Sequence, residues 1–473
     1  MGASLISLFP EAKNTAKNVI NGIRMPIEAG AALSEMTDRI MAHGKEMATG
    51  SFEGGMLSKR LFMPWIDDRT DHAFSGLLKI CQDSTNVFLN LARGPVSYTF
   101  EKFRKDRLAD IEFIDFISNE PPVQDWETDY QKKDILLDLP GMRLIDMSIH
   151  GTHKIENYSI VFAPRAGHHS NIAEKTAIYL RDHGLSKMAV VEQKCAADIP
   201  MYIDGKRHYE DFESQVEQFK TILEFLKNKA GFPSHLIAIC QPGPLLITTL
   251  ILYPELGKTF GSAGSPMHTE GERGMLTDFS RMAGENYIDY LIDLFSGIIP
   301  EGQIGAGRKI YDGRLQVMGF YYLGMDQHMK NFRKYYTDLK YGNNESAQRQ
   351  RDFYQWYNWT HHFPAGFIRD TYKKIFVNND LIHGRMKIGN KTVGIRDYPG
   401  NVPIWSLGGS KDDIVPPKQA NGHLDEIESV PEKNKLSLLA KAGHMGLFRS
   451  SKVLKNDYSK VVRFLLKHSD KKK

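Results

Sequence analysis

The chain has 473 residues, enough for one large catalytic domain with elaborations or for two to three domains. Its 61 basic and 57 acidic side chains leave a net charge of +4, which gives no reason to expect a nucleic-acid partner. Three cysteines, Cys81, Cys195 and Cys240, are too few for a disulfide framework and fit a reducing compartment; no apolar run approaches the ~20 residues that span a bilayer. The stretch Met1–Pro10 is briefly apolar with no basic segment before it, so no secretory signal is expected, and Ile6 stands where a myristoylation signal has Ser or Thr.

Residues 1–50 read as helical, broken at Pro10 and Pro26, with Met25, Ile27, Ala31, Leu33, Met36, Ile40 and Met41 at roughly helical spacing. Residues 51–130 are mainly helical and charged, and Glu120–Trp126 reads as a loop. Together 1–135 form an expected N-terminal helical extension. From 136 to 260 the pattern alternates. Ser159–Ala163 and Met188–Val191 are buried-strand runs. Asn171–Asp182 is a helix, and Asp211–Lys229 is an amphipathic one with Phe212, Val216, Phe219, Leu223 and Leu226 on one face. This alternation predicts a mainly parallel sheet with helices on both faces and functional groups at the carboxyl ends of strands. Residues 261–395 break the rhythm and are helical and aromatic, as a cap or lid insertion would be. Trp356 and Trp359 are its substrate-binding candidates, although most lid aromatics serve the lid's own core. The α/β pattern resumes over 396–468, and 469–473 is a basic, solvated tail.

The chemistry concentrates at three points. The run His235–Ile239 leads to Cys240, followed by Gln241-Pro242-Gly243 and the helical stretch Leu245–Tyr253. Strand, sharp turn, nucleophile and helix make the layout of the nucleophile elbow of α/β-hydrolases, with a thiol in place of the usual serine. Gly409-Ser-Lys-Asp412-Asp413 follows the apolar run Val402–Leu407, and Gly443-His444 follows Leu436–Leu439. Nucleophile, acid, histidine is the α/β-hydrolase chain order. An isolated cysteine is most often an inert core residue; the elbow and the two ordered partners set Cys240 apart. A free cysteine has a pKa of about 8.5, and a helix N-terminus and a neighbouring histidine both favour the thiolate. The loop pattern selects Asp412 over Asp413 as the acid. The oxyanion donors expected are the backbone N–H of Gln241 and those of Ala166 and Gly167, in the loop after the strand at 159–163, where His168 is placed to touch substrate. No metal-ligand spacing, dinucleotide fingerprint or phosphate loop is present, so no cofactor is expected.

At these residues the chain resembles the intracellular polyhydroxyalkanoate (polyhydroxybutyrate) depolymerases. The resemblance spans roughly 140–466 and rests on Ala163-Pro164 with Gly167-His168, on Ile239-Cys-Gln-Pro242, on Gln316–Phe320, on Gly409–Ile414 and on Gly443-His444. It implies an α/β-hydrolase fold and a Cys240–Asp412–His444 triad that cleaves the ester bonds of stored polyester. It also implies a cytoplasmic enzyme working at granule surfaces. The sequence departs from the family at Cys195–Pro200, where an Asp-Ala-Arg stretch is usual, and over residues 1–130. Two other readings remain. One is a polyester synthase-type acyltransferase using hydroxyacyl-CoA, whose Gly-x-Cys-x-Gly elbow Ala238 and Pro242 do not match. The other is a non-catalytic granule-associated protein of the same fold.

Overall fold

A computed structural model describes residues 100–128, 134–149, 151 and 153–471. The expectations for residues 1–50, for most of the N-terminal extension and for Cys81 lie outside the described residues. The chain divides into two compact units, one of residues up to 123 with 317–360, the other of 124–316 with 361–473.

The larger unit is built on an eight-stranded sheet. Its strands are β1 (Ile135–Asp138), β2 (Met142–Asp146), β3 (Ser159–Phe162), β4 (Met188–Gln193), β5 (Ser234–Ile239), β6 (Gly257–Ala263), β7 (Ile404–Gly409) and β8 (Lys435–Ala440). They lie in the order β1-β2-β4-β3-β5-β6-β7-β8. β2 pairs antiparallel with both β1 and β4, and every pairing from β4 to β8 is parallel. The sheet is thus mainly parallel with helical crossovers, the α/β-hydrolase arrangement expected from the strand–helix alternation.

Alternation along the strands sends side chains to two buried layers, which is why these strands read as continuous apolar runs. Ile160, Phe162, Leu236, Ala238, Phe260 and Ile404 face one layer, where they share a core with Val216, Phe219 and Leu223 of the helix Phe212–Ala230. Phe162 meets Phe219 edge-on at 4.8 Å. The helix starts where Asp211 accepts the Ser214 N–H and ends at Gly231 in the left-handed region. Residues of the other parity point to the opposite layer. There Trp405 on β7 packs on Tyr458 at 6.4 Å. The indole also lies over Gly261 on β6, where a Cβ would stand 1.8 Å from Trp405 Cε2, so only glycine fits.

The smaller unit holds the helices Phe100–Ser118, Met325–Tyr341 and Asn344–Asn358. Phe113 meets Tyr336 edge-on at 5.2 Å, and the Tyr336 hydroxyl donates to buried Asp110 Oδ1 at 2.6 Å. Gly342, in the left-handed region, closes Met325–Tyr341 and turns the chain toward the next helix.

Candidate active site

The turn from β5 into the helix Gly243–Leu252 carries Cys240 with φ at 61°, a conformation costly for any residue but glycine. Two bonds hold it there: the Cys240 N–H donates to the Ala263 carbonyl at 2.9 Å, and the Gly243 N–H returns to the Cys240 carbonyl at 3.3 Å. A Cβ on Gly243 would stand 2.5 Å from Ser265 Cβ, so the helix can begin this close to the loop after β6 only with glycine at its first position. The elbow therefore keeps a close-packing glycine, at the third residue after the nucleophile. The thiol lies at the positive end of the helix dipole.

The other two groups arrive from the ends of β7 and β8. His444 Nε2 stands 3.2 Å from Cys240 Sγ, and His444 Nδ1 stands 2.7 Å from Asp412 Oδ2. The other carboxylate oxygen, Asp412 Oδ1, accepts the backbone N–H groups of Ile414 at 3.0 Å and Val415 at 2.8 Å. Those bonds fix the carboxylate, and through it the ring. Asp412 and His444 are both buried, whereas Asp413 is exposed. Phe448 packs edge-on against the imidazole at 5.3 Å. Burial by itself pushes the His444 imidazole down, but the charges of Asp412 and of Cys240, with the hydrogen bonds to both, raise it well above its ordinary value. The arrangement can take a proton from sulfur and hold it on a charged ring.

The loop after β3 also reaches the elbow. The Arg165 N–H donates to the Gln241 side-chain oxygen at 3.1 Å. Ala166 is partly buried, and Gly167 is buried with φ at 92° and accepts the His361 N–H at 2.8 Å on its carbonyl. His168 is buried in the same loop. Its neighbour His169 serves the scaffold: its Nδ1 accepts the Asn171 N–H at 3.2 Å, and its ring lies edge-on to Trp126. Cys195 is likewise buried, its thiol pushed up by burial, and its sulfur accepts the His362 N–H at 3.4 Å. Trp356 and Trp359 belong to the smaller unit and are 2% and 6% exposed, with Phe353 and Tyr357 around Trp356 at 6.2 Å each. Their burial suits packing better than a surface for polymer. Among the described residues no group of His, Cys, Asp and Glu is arranged to hold a metal ion. No described helix is long and apolar enough to cross a membrane.

The residues that local sequence patterns do not reveal are those whose role is steric or long-range. Gly243 and Gly264 are two. Gly264 sits at φ 55°, where a Cβ would come within 3.2 Å of the His444 ring. Arg165 and Glu210 are two more, paired across 45 positions of sequence, which no local pattern announces.

Sheet order, elbow and side-chain order define an α/β-hydrolase. Residues 264–469 match the family model described as PHB de-polymerase C-terminus, which bears out the resemblance to the PHB depolymerase family and, with the fold, supports a hydrolase of that kind. No curated protein matches the chain. Among solved structures it is similar to a Paleococcus ferrophilus monoacylglycerol lipase, at 13% identity and a TM-score of 0.39, over 69% of this chain and 99% of that one. It is similar to a soluble variant of the Saccharomyces cerevisiae monoglyceride lipase, at 12% identity and a TM-score of 0.44, over 74% and 99%. A Bacillus megaterium epoxide hydrolase is similar at 13% identity and a TM-score of 0.40, over 70% and 99%.

Proposed function

We propose that the protein hydrolyses the ester bonds of a 3-hydroxyalkanoate polyester, polyhydroxybutyrate or a close relative, with Cys240 as nucleophile. The observation that carries this reading is the relay from Asp412 through His444 to Cys240, at 2.7 and 3.2 Å, at the carboxyl ends of three parallel strands of one sheet, β7, β8 and β5. The match to the PHB de-polymerase C-terminus supports the polyester as the substrate class.

The geometry supports the following steps. His444 Nε2 takes the thiol proton, and the sulfur attacks the ester carbonyl carbon. The carbonyl π pair moves onto oxygen, and the resulting oxyanion is met by backbone N–H groups, that of Gln241 first. Collapse breaks the carbon–oxygen bond of the chain, and the departing alkoxide takes the proton from His444. A thioester remains on Cys240. Water then gives a proton to His444 as its oxygen attacks the thioester carbonyl. Collapse expels the thiolate and releases the acid, and the His444 proton is free to return to sulfur. Asp412 holds the Nδ1–H tautomer throughout and stabilises the imidazolium.

The test uses two substrates side by side. Pure protein incubated with amorphous polyhydroxybutyrate is expected to release soluble 3-hydroxybutyrate or its short oligomers. With hydroxybutyryl-CoA it is expected to release CoA only slowly and to form no polymer. CoA release with polymer growth would replace this reading by the synthase-type acyltransferase; inertness toward both, with Cys240 intact, would leave the non-catalytic granule protein.

A further inference from the structure

One side chain joins the elbow to the loop after β3. The Gln241 side-chain oxygen accepts the Arg165 backbone N–H at 3.1 Å, immediately before the two residues, Ala166 and Gly167, expected to offer N–H groups. Behind that contact Arg165 is anchored below the surface. Its side chain is 3% exposed; Nη1 donates to Glu210 Oε1 at 2.9 Å and Nη2 to the Gly141 carbonyl at 2.8 Å. The guanidinium also lies over the Phe367 ring at 5.2 Å.

Glu210 is itself held from several sides. Gln215 Nε2 donates to Oε1 at 2.8 Å, Gln218 Nε2 to Oε2 at 3.1 Å, and His208 Nε2 lies 2.8 Å from Oε2. A Cβ on Gly141 would stand 2.1 Å from Glu210 Oε1, so glycine there makes room for the carboxylate. Burial pushes the Glu210 carboxyl up; the Arg165 guanidinium and the bonds from His208 and Gln215 outweigh it and hold it at about 2. Glu210 therefore stays ionised opposite the Arg165 guanidinium near neutral pH. A buried ion pair is no cheap source of stability, since well-packed apolar side chains often do as well. What this network gives and apolar packing would not is a set of directional bonds that fix one loop conformation.

We propose that Gln241 is a positioning residue: its side chain clasps the loop 164–170 to the elbow, and the Arg165–Glu210 pair anchors that loop, so that N–H groups on both sides stand ready for the ester oxyanion. The proposal rests on the hydrolase reading and deepens it. Donors of this kind act because they are fixed before charge develops, and removing one typically costs about 10²–10³-fold in kcat. A loosened loop should cost a similar factor.

Gln241→Met keeps the length of the side chain and removes the acceptor. Two reactions of Cys240 then separate the clasp from the nucleophile. Hydrolysis of a short 3-hydroxybutyrate ester passes through an oxyanion; alkylation by iodoacetamide displaces iodide at a saturated carbon and forms none. The variant is expected to lose kcat by about 10²-fold with KM within about threefold of wild type, while the alkylation rate at the Cys240 peptide, followed by mass spectrometry, and the melting temperature stay near wild type. Retained kcat would overturn the proposal. Equal loss of hydrolysis and alkylation would overturn it too, by placing the effect on the Cys240–His444 pair. A wild-type protein that alkylates at Cys240 but hydrolyses no ester would instead remove the hydrolase reading, and the clasp with it.

Discussion

Cys240→Ala is expected to abolish the proposed ester hydrolysis, a loss on the order of 10⁵-fold or more, and to leave the melting temperature close to wild type. The two halves of this expectation come from different features. In the proposed mechanism the chemistry depends on sulfur, because Cys240 Sγ is the atom that stands 3.2 Å from His444 Nε2. The fold depends on the backbone, because the Cys240 N–H and carbonyl bonds to Ala263 and Gly243 survive the change. Alanine suffers the same strain at φ 61° as cysteine, so the elbow is neither relieved nor further stressed. Cys240→Ser should keep only a trace. A serine hydroxyl ionises far less readily than a thiol, and its shorter bond to Cβ moves the oxygen back from a ring placed for sulfur. The check is kcat on a short soluble ester beside a thermal melt. Full turnover in a folded Cys240→Ala protein would remove the residue from the mechanism.

Asp412→Asn should cost about 10⁴-fold in kcat, and Asp413→Asn less than about threefold. The reason lies in which oxygen does what. Asp412 Oδ1 accepts two backbone N–H groups, from Ile414 and Val415. An asparagine keeps those bonds by turning its carbonyl oxygen toward them. Its amide nitrogen then faces His444 Nδ1 and donates to it, which forces the ring proton onto Nε2. A ring protonated at Nε2 cannot take the proton from Cys240. The variant also lacks the charge that raises the imidazole. Asp413 is exposed and makes no such contact with the ring. Steady-state kinetics of both variants at one pH decide it. A larger loss from Asp413→Asn would show that the register of the acid loop is off by one.

Much of the sheet was legible because its strands are buried on both faces. Ser159–Ala163 and Met188–Val191 read as unbroken apolar or small runs for that reason, and the five apolar positions of the Asp211–Lys229 pattern are all buried in the helix Phe212–Ala230. Cys240, Asp412 and His444 stood out in the sequence because each lies within a few residues of the end of a strand, Ile239, Gly409 and Ala440 respectively, and the chain order of the three carries information that a lone cysteine does not. His235, five residues before Cys240, shows how little residue type alone says. It is fully buried, satisfied by the hydroxyls of Thr259 and Ser469, and pushed down by burial to about 3. What stayed hidden depends on partners far apart in sequence. Glu210 looks like a surface acid ahead of a helix until Arg165, Gly141 and Gln218 are seen around it. Gly243 looks like a helix start, and its need for a bare backbone appears only when Ser265 is seen against it. The grouping of 317–360 with residues before 123 has no local signature either, since Asp110 and Tyr336 meet across 226 positions.

The most direct test of the account is the covalent intermediate. Protein turning over a saturating short 3-hydroxybutyrate ester would be quenched in acid within milliseconds to seconds, digested, and mapped by mass spectrometry. The Cys240 peptide should carry one hydroxybutyryl group, removable by neutral hydroxylamine as a thioester is, and the adduct should be absent from Asp412→Asn protein quenched at the same times. Turnover by protein already alkylated at Cys240, or an acyl group found on any other residue, would contradict the account.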